Sequence, residues 1–214
     1  MKNILVSAML ILFFCINANA QKRNTRHYNM QLAEVEMSRG EIGSFSNEKT
    51  RHGISYSVYK DNNLNAEMTI HPTHVVLSMT NMADVTIKIV WDEAVYVGFN
   101  NNSEAVMHSG IKFIDKNETQ IPSTIIKGTS LKDEIIIPKS AITWSNKGWI
   151  ICSRLIPVRG NMDGRQIKIV IPIEIGDSKV EYTFTFVAQM EMVNKVRTRG
   201  ISVRGGLRYY EIRR

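Results

Sequence analysis

The sequence predicts an all-β protein built from short antiparallel strands. Apolar and polar side chains alternate with a period of two residues in several segments, most clearly at residues 167–174 and 182–187. Turn sequences separate such segments at short intervals, for example at residues 60–63 and 176–178. After residue 20, no stretch of twelve residues keeps the 3.6-residue period of an amphipathic helix. Short strands with short connections indicate a single-domain antiparallel β-sandwich or barrel.

The first 20 residues have the features of a secretory signal peptide. Lys2 precedes an apolar run at residues 4–16, and Ala18-Asn19-Ala20 is a small-x-small cleavage site. The apolar run is shorter than the roughly 20 residues that a membrane-spanning helix needs. Cys15 offers the alternative of a lipid anchor, although Phe14 stands where lipoprotein cleavage requires a small residue. We therefore expect an exported protein of the periplasm, the outer membrane or the extracellular space, with no transmembrane span in the mature chain.

The remaining chain is expected to divide into three parts, at residues 21–50, 51–194 and 195–214. Residues 21–50 are expected to form an N-terminal extension, in which residues 30–37 fit either a short helix or a first strand. Residues 51–194 are expected to form the β-sandwich domain, because they are long enough for one good core. Alternation and apolar runs predict strands at residues 54–59, 68–70, 75–77, 85–90, 94–97, 111–115, 135–137, 167–174 and 182–187.

The C-terminal segment, residues 195–214, is the most basic part of the chain. It holds seven basic residues and one acid, Glu211. Arginine favours bidentate contacts with phosphates and carboxylates, so the segment predicts an anion-binding or partner-binding tail. The alternative is a terminal hairpin that turns at Gly205-Gly206 with solvated arginines on an edge strand. The predicted binding residues are Arg197, Arg199, Arg204, Arg208, Arg213 and Arg214.

Several short segments resemble a group of uncharacterised exported proteins of Bacteroidota, many of them lipoproteins. The segments are VLSMTN at residues 76–81, IKIVWDEA at 87–94, VMHSGIKFID at 106–115 and PSTIIKG at 122–128. The likeness extends over roughly residues 54–190 as an order of segments. It implies an immunoglobulin-like β-sandwich located in the cell envelope. It implies no catalytic residues, because none is known for the group.

Two tryptophans are candidates for carbohydrate binding. Trp144 and Trp149 flank a predicted loop at residues 145–148, and aromatic rings on a loop can stack on sugar rings. The alternative is that both rings fold back onto the sandwich. Trp91 is expected in the core, at the end of an alternating strand. Cys152 is the one cysteine of the mature chain, which excludes an intramolecular disulfide, and its apolar neighbours predict a buried thiol.

No set of residues predicts a catalytic or metal site. His71 and His74 stand three residues apart, but metal sites need three or four ligands, and His108 is the only further histidine considered. His108-Ser109 lacks the Gly-x-Ser-x-Gly turn of many hydrolases, and spacing places no acid beside it. We therefore predict no enzyme activity, no metal and no cofactor.

The function expected from the sequence is that of a non-enzymatic envelope or surface module, binding or structural, that engages another envelope component. The expected partner is another envelope protein or an anionic component, either lipopolysaccharide or acidic polysaccharide, and not nucleic acid. One alternative is a secreted carbohydrate-active or hydrolytic enzyme, which a pocket with convergent acids would favour. Another is a subunit of an envelope assembly whose partner orders the C-terminal tail.

Overall fold

A computed structural model describes residues 27–50, 54–157 and 160–191. The predicted signal peptide, Cys15 and the basic C-terminal segment lie outside these ranges. Among the described residues, no helix has the length and hydropathy needed to cross a membrane. The strands are β1 (His27–Met37), β2 (Ser44–Lys49), β3 (Ser55–Lys60), β4 (Leu64–Ile70), β5 (Val75–Asn81), β6 (Ile87–Ile89), β7 (Val95–Val97), β8 (Ser103–His108), β9 (Ser123–Ile125), β10 (Ser130–Pro138), β11 (Ile142–Ser145), β12 (Gly148–Ile151), β13 (Gln166–Ile175) and β14 (Ser178–Glu191).

The strands form one long antiparallel sheet and one small hairpin sheet, which confirms the all-β antiparallel prediction. The main path is β1-β14-β13-β7-β8-β10-β5-β4-β3-β2; β6 pairs with β13 and β9, and β11 pairs with β12 in the small sheet. Strand β8 pairs with both β7 and β10, so it joins the two halves of the sheet. The immunoglobulin-like arrangement stays a prediction, because the two halves form one continuous path.

The two halves of the sheet face each other across an aromatic core. The ring of Tyr59 on β3 lies 5.7 Å from that of Phe184 and 6.1 Å from that of Tyr182, both on β14. All three side chains are fully buried. The predicted alternation of β13 is also confirmed, since its isoleucines point into this core on every second residue. Burial of these apolar side chains supplies most of the stability of the fold.

The first and last strands of the path approach each other and nearly close the sheet. The backbone N–H of Leu32 on β1 donates to Asn47 Oδ1 on β2 at 2.8 Å, and Asn47 Nδ2 donates to the Leu32 carbonyl at 2.9 Å. Ser57 on β3 donates to the same Asn47 oxygen at 2.6 Å. The Asn47 side chain thus makes the hydrogen bonds that the backbone of a paired strand would make. It does so at the irregularity of β1 between Leu32 and Glu34. Residues 30–37 are therefore part of a strand, which settles the choice between helix and strand.

The turn between β3 and β4 is organised by the carboxylate of Asp61. Its Oδ1 accepts hydrogen bonds from the backbone N–H groups of Asn63 and Leu64, at 2.7 and 2.8 Å. Its Oδ2 accepts from the hydroxyls of Tyr59 and Tyr182, at 3.1 and 3.0 Å. The predicted turn at residues 60–63 is confirmed. One carboxylate thereby holds both the turn and the polar ends of two core aromatic side chains from opposite halves.

Two local predictions were wrong. Residues 111–115 do not form a strand: Gly110, at φ +89°, turns the chain away after β8, and the Asp115 N–H donates to the Lys112 carbonyl in a 3₁₀ turn. The alternation was misleading because Ile111 and Phe113 both pack against a small hydrophobic cluster, separate from the main core, without joining the sheet. Cys152 is exposed rather than buried, because it follows β12 at the end of a hairpin that has only two strands.

Candidate functional site

A cleft of about 280 Å³ opens beside the loop between β7 and β8. Its other wall comes from the ranges 153–157 and 160–165, which precede β13 in the chain. Two backbone hydrogen bonds between Gly98, Asn101 and Asn102 close this loop, at residues 98–102. The cleft lining includes the side chains of Tyr96, Phe99, Glu104, Arg154, Leu155 and Arg165. The cleft therefore combines aromatic, cationic and acidic groups.

Arg165 is held in the cleft by both its backbone and its side chain. It follows Gly164, whose φ of +74° suits glycine, and the Arg165 N–H donates to the Met162 carbonyl at 2.9 Å. The guanidinium lies 5.7 Å from the centroid of the Phe99 ring and donates to the Phe99 carbonyl. A cation over an aromatic face is a favourable arrangement. The charge is thus positioned on the cleft wall before any ligand binds.

Arg154 lies on a segment that hydrogen bonds hold against the sheet. The N–H of its neighbour Leu155 donates to the Pro72 carbonyl at 2.7 Å, in the turn between β4 and β5. The Tyr96 hydroxyl donates to the Leu155 carbonyl at 3.5 Å. Among the described residues, Arg154 donates one side-chain hydrogen bond, a long one from Nε to the Ile156 carbonyl at 3.4 Å. Its other guanidinium donors have no partner within the described ranges.

The charges of the cleft favour an anionic ligand. Within the described ranges, no carboxylate lies within ion-pair distance of Arg154 or Arg165. Glu104 is the one acid among the described lining residues, and it accepts a hydrogen bond from Ser140. Burial raises the pKa of Tyr96, so its hydroxyl stays neutral at physiological pH. Two guanidinium groups beside one carboxylate leave a net positive site.

The turn that braces the cleft contains the two histidines considered above. The rings of His71 and His74 stack with centroids 4.6 Å apart. Burial lowers the pKa of both, and the neighbouring ring lowers that of His74 further, so both are neutral near pH 7. The described residues contain no group of three or more His, Cys, Asp or Glu side chains that could hold a metal ion.

A second polar cluster joins β8 to β10. Glu134 Oε1 accepts hydrogen bonds from His108 Nδ1 at 2.9 Å and from Ser109 Oγ at 2.6 Å. The imidazole stacks on Trp91, with ring centroids 4.7 Å apart, and its Nε2 is buried without a partner among the described residues. In a hydrolase, the histidine would lie between the serine and the acid. Here the serine contacts the acid directly, so the arrangement can brace two strands but does not activate Ser109.

The Glu134 cluster predicts a pH-dependent stability. Burial opposes ionisation, but the hydrogen bonds from His108 and Ser109 outweigh it and hold the pKa of Glu134 below its usual value. As pH falls, the unfolded chain takes up the proton first, so the contribution is present above about pH 4.5 and is lost below it. We expect Glu134→Gln to lower the free energy of unfolding by about 2 kcal/mol near neutral pH.

The measurement is urea denaturation at about pH 7, 5 and 4. The difference between wild type and Glu134→Gln should shrink at the lowest pH. Glu118→Gln serves as the control, because Glu118 is exposed. A difference that stays constant or grows on acidification would contradict the proposed role of the ionised carboxylate.

The two tryptophans proposed for carbohydrate stacking differ in their surroundings. They face each other across the β11–β12 hairpin, edge to face, with ring centroids 5.6 Å apart. Trp149 packs against the small hydrophobic cluster that includes Ile142, whereas Trp144 is 65% exposed. Of the two rings, that of Trp144 is the more exposed to solvent. Trp91, by contrast, is fully buried, as predicted.

The six arginines predicted to bind anions lie outside the described residues, so the structure does not place them. The arginines that line the cleft, Arg154 and Arg165, were missed by sequence reasoning, because neither lies in a recognisable motif. The signal that could have suggested them is their position in an irregular stretch between two strands, where binding residues commonly occur. No protein-family model, curated protein or solved structure matches the chain.

Proposed function

We propose that the chain is a non-enzymatic, exported module of the cell envelope that binds an acidic polysaccharide in the arginine cleft. The observation that carries this proposal is the pair Arg154 and Arg165, which line one concave cleft without a carboxylate partner among the described residues. Guanidinium groups bind carboxylates, sulfates and phosphates through paired hydrogen bonds. The predicted signal peptide supports the location.

The size and lining of the cleft favour a sugar unit over a protein surface. A volume of about 280 Å³ is near the lower limit for small-molecule sites. A stable protein partner usually buries about 800 Å² on each side, which is a broader surface than this small cleft offers. The aromatic rings of Tyr96 and Phe99 add apolar surface beside the charges. Such a mixture suits a ring with one apolar face and an acidic substituent.

The position of the cleft in the fold also supports a binding role. The loop at residues 98–102 and the segment at 153–157 are irregular backbone held on a rigid sheet, which is where β-proteins commonly place ligand contacts. The two facing halves are compatible with the immunoglobulin-like sandwich implied by the resemblance. In that proposal, β8 crosses from one layer to the other.

Calorimetric titration of the purified mature chain tests the proposal. The probe is a hexameric oligogalacturonate, and its methyl ester, which lacks the charges, is the matched control ligand. We expect binding of the acid form only, weakening with added salt. The variant Arg154→Gln/Arg165→Gln should bind about 100-fold more weakly, because two charge-assisted contacts are lost.

The control variant is Arg39→Gln/Lys132→Gln, which removes the same charge from exposed positions outside the cleft lining. It should bind as wild type does. Equal affinity for the ester and the acid, or unchanged affinity of the cleft variant, would contradict the proposal. A separate experiment uses vesicles that contain lipopolysaccharide. If the chain binds these vesicles but not the oligogalacturonate, and the binding depends on the two arginines, the ligand groups are lipid phosphates rather than polysaccharide carboxylates.

A further inference from the structure

The β11–β12 hairpin presents one indole ring to solvent and anchors the other. Trp149 is held by the small hydrophobic cluster, and the Lys116 ammonium lies 6.0 Å from the centroid of its ring. Trp144 contacts Trp149 at an interplanar angle of 75° and remains 65% exposed. The exposed ring therefore rests on a fixed neighbour.

The turn of the hairpin is also fixed by hydrogen bonds. The Lys147 N–H donates to Ser145 Oγ at 3.1 Å, and Ser145 Oγ donates to the Gly148 carbonyl at 2.9 Å. Gly148 has φ +98°, a conformation that favours glycine. The side chains of Asn146 and Lys147 are exposed at this turn. An amide and a positive charge thus lie two and three residues from Trp144 along the chain.

The hairpin rises from the rim of the arginine cleft. Pro138 and Ser153 both line the cleft, and the hairpin lies between them in the chain. Ser140, at its base, donates a hydrogen bond to Glu104 inside the cleft lining. A strand advances roughly 3.3 Å per residue, so Trp144 lies about 10 Å along the chain from Ala141 at the hairpin base. Trp144 is six residues from Pro138 of the cleft lining, so their Cα atoms lie at most about 22 Å apart. A ligand made of several linked sugars can span such a distance.

We propose that Trp144, with Asn146 and Lys147, forms a second subsite, and that the ligand is a chain of several acidic sugars running from the cleft to the hairpin. This inference rests on the proposed function and specifies its ligand. The apolar face of a sugar ring stacks on the exposed indole. Lys147 matches the negative charge of an acidic sugar beside that ring.

The test compares oligogalacturonates of two and six sugars on the purified mature chain. Trp144→Ala should weaken binding of the hexamer about 10-fold and leave binding of the dimer unchanged, because only the hexamer reaches the hairpin. Ile150→Ala is the control, since Ile150 is 40% exposed and lies on the other face of the same hairpin. Tryptophan fluorescence gives a second readout: the hexamer should change the emission of wild type but not that of Trp144→Ala.

The possible failures are distinguishable. If Trp144→Ala and wild type bind the hexamer equally while Arg154→Gln/Arg165→Gln binds weakly, the second subsite is wrong and the cleft remains. If Trp144→Ala weakens the dimer and the hexamer alike, the ring acts on the cleft itself, and the extended ligand is again wrong. If neither acidic oligosaccharide binds wild type, the proposed function fails as well.

Discussion

Phe184→Ala is expected to lower the free energy of unfolding by about 4 kcal/mol, the typical cost of removing a buried aromatic side chain. Phe184 is fully buried, and its ring contacts those of Tyr59 and Tyr182. These rings come from both halves of the sheet. The substitution therefore leaves a cavity between the halves, where the backbone of two paired strands limits collapse. Urea denaturation followed by circular dichroism measures the change.

Phe45→Ala is the matched control for this prediction. Phe45 lies on the edge strand β2 and is 42% exposed, so we expect the same chemical change there to cost less than about 1 kcal/mol. Similar losses at the two positions would mean that the facing halves do not enclose the main core.

Asp61→Ala is expected to lower the free energy of unfolding by about 3 kcal/mol. The carboxylate accepts four hydrogen bonds, two from backbone N–H groups of the turn and two from the hydroxyls of Tyr59 and Tyr182. Both tyrosines are fully buried as residues, so a hydroxyl that loses its partner is not readily solvated. The loss should appear in urea denaturation as a lower midpoint with an unchanged slope.

Asp177→Ala provides the comparison for the Asp61 prediction. Asp177 lies at the tip of the β13–β14 hairpin and is exposed. We expect its replacement to change stability by less than about 0.5 kcal/mol. The variant Asp61→Asn should fall between wild type and Asp61→Ala, because the amide keeps one acceptor oxygen. A loss at Asp61 no larger than that at Asp177 would show that the shared carboxylate is not important for stability.

Strands with one buried face could be predicted from sequence, and others could not. The segment 182–187 alternates because Tyr182, Phe184 and Phe186 all point into the core. In contrast, β8 carries the sequence SEAVMH, with two adjacent buried residues, Val106 and Met107, that pack against different clusters. A strand whose two faces both pack against apolar clusters loses the alternation of apolar and polar residues on which the prediction depends. Residues 111–115 show the opposite error, since they alternate without pairing.

The candidate site depends on contacts that no local pattern contains. Arg154 reaches the cleft because Leu155 bonds to Pro72, which is more than 80 residues earlier in the chain. Glu134 joins His108 only because β10 pairs with β8, and a bulge between Leu131 and Glu134 sets its register. Long-range pairings of this kind follow from the complete sheet topology. Trp144 was identified as a candidate because its position beside a turn is visible in the sequence itself.

The most direct test of the arginine cleft is a nuclear magnetic resonance titration of the ¹⁵N-labelled mature chain with hexameric oligogalacturonate. The amides that shift should be concentrated at residues 98–102, 153–157 and 165, with a smaller set at 144–148. The shifts at the cleft should disappear in Arg154→Gln/Arg165→Gln. Shifts confined to residues 195–214, or spread over β2 and β3 with the cleft unchanged, would contradict the account.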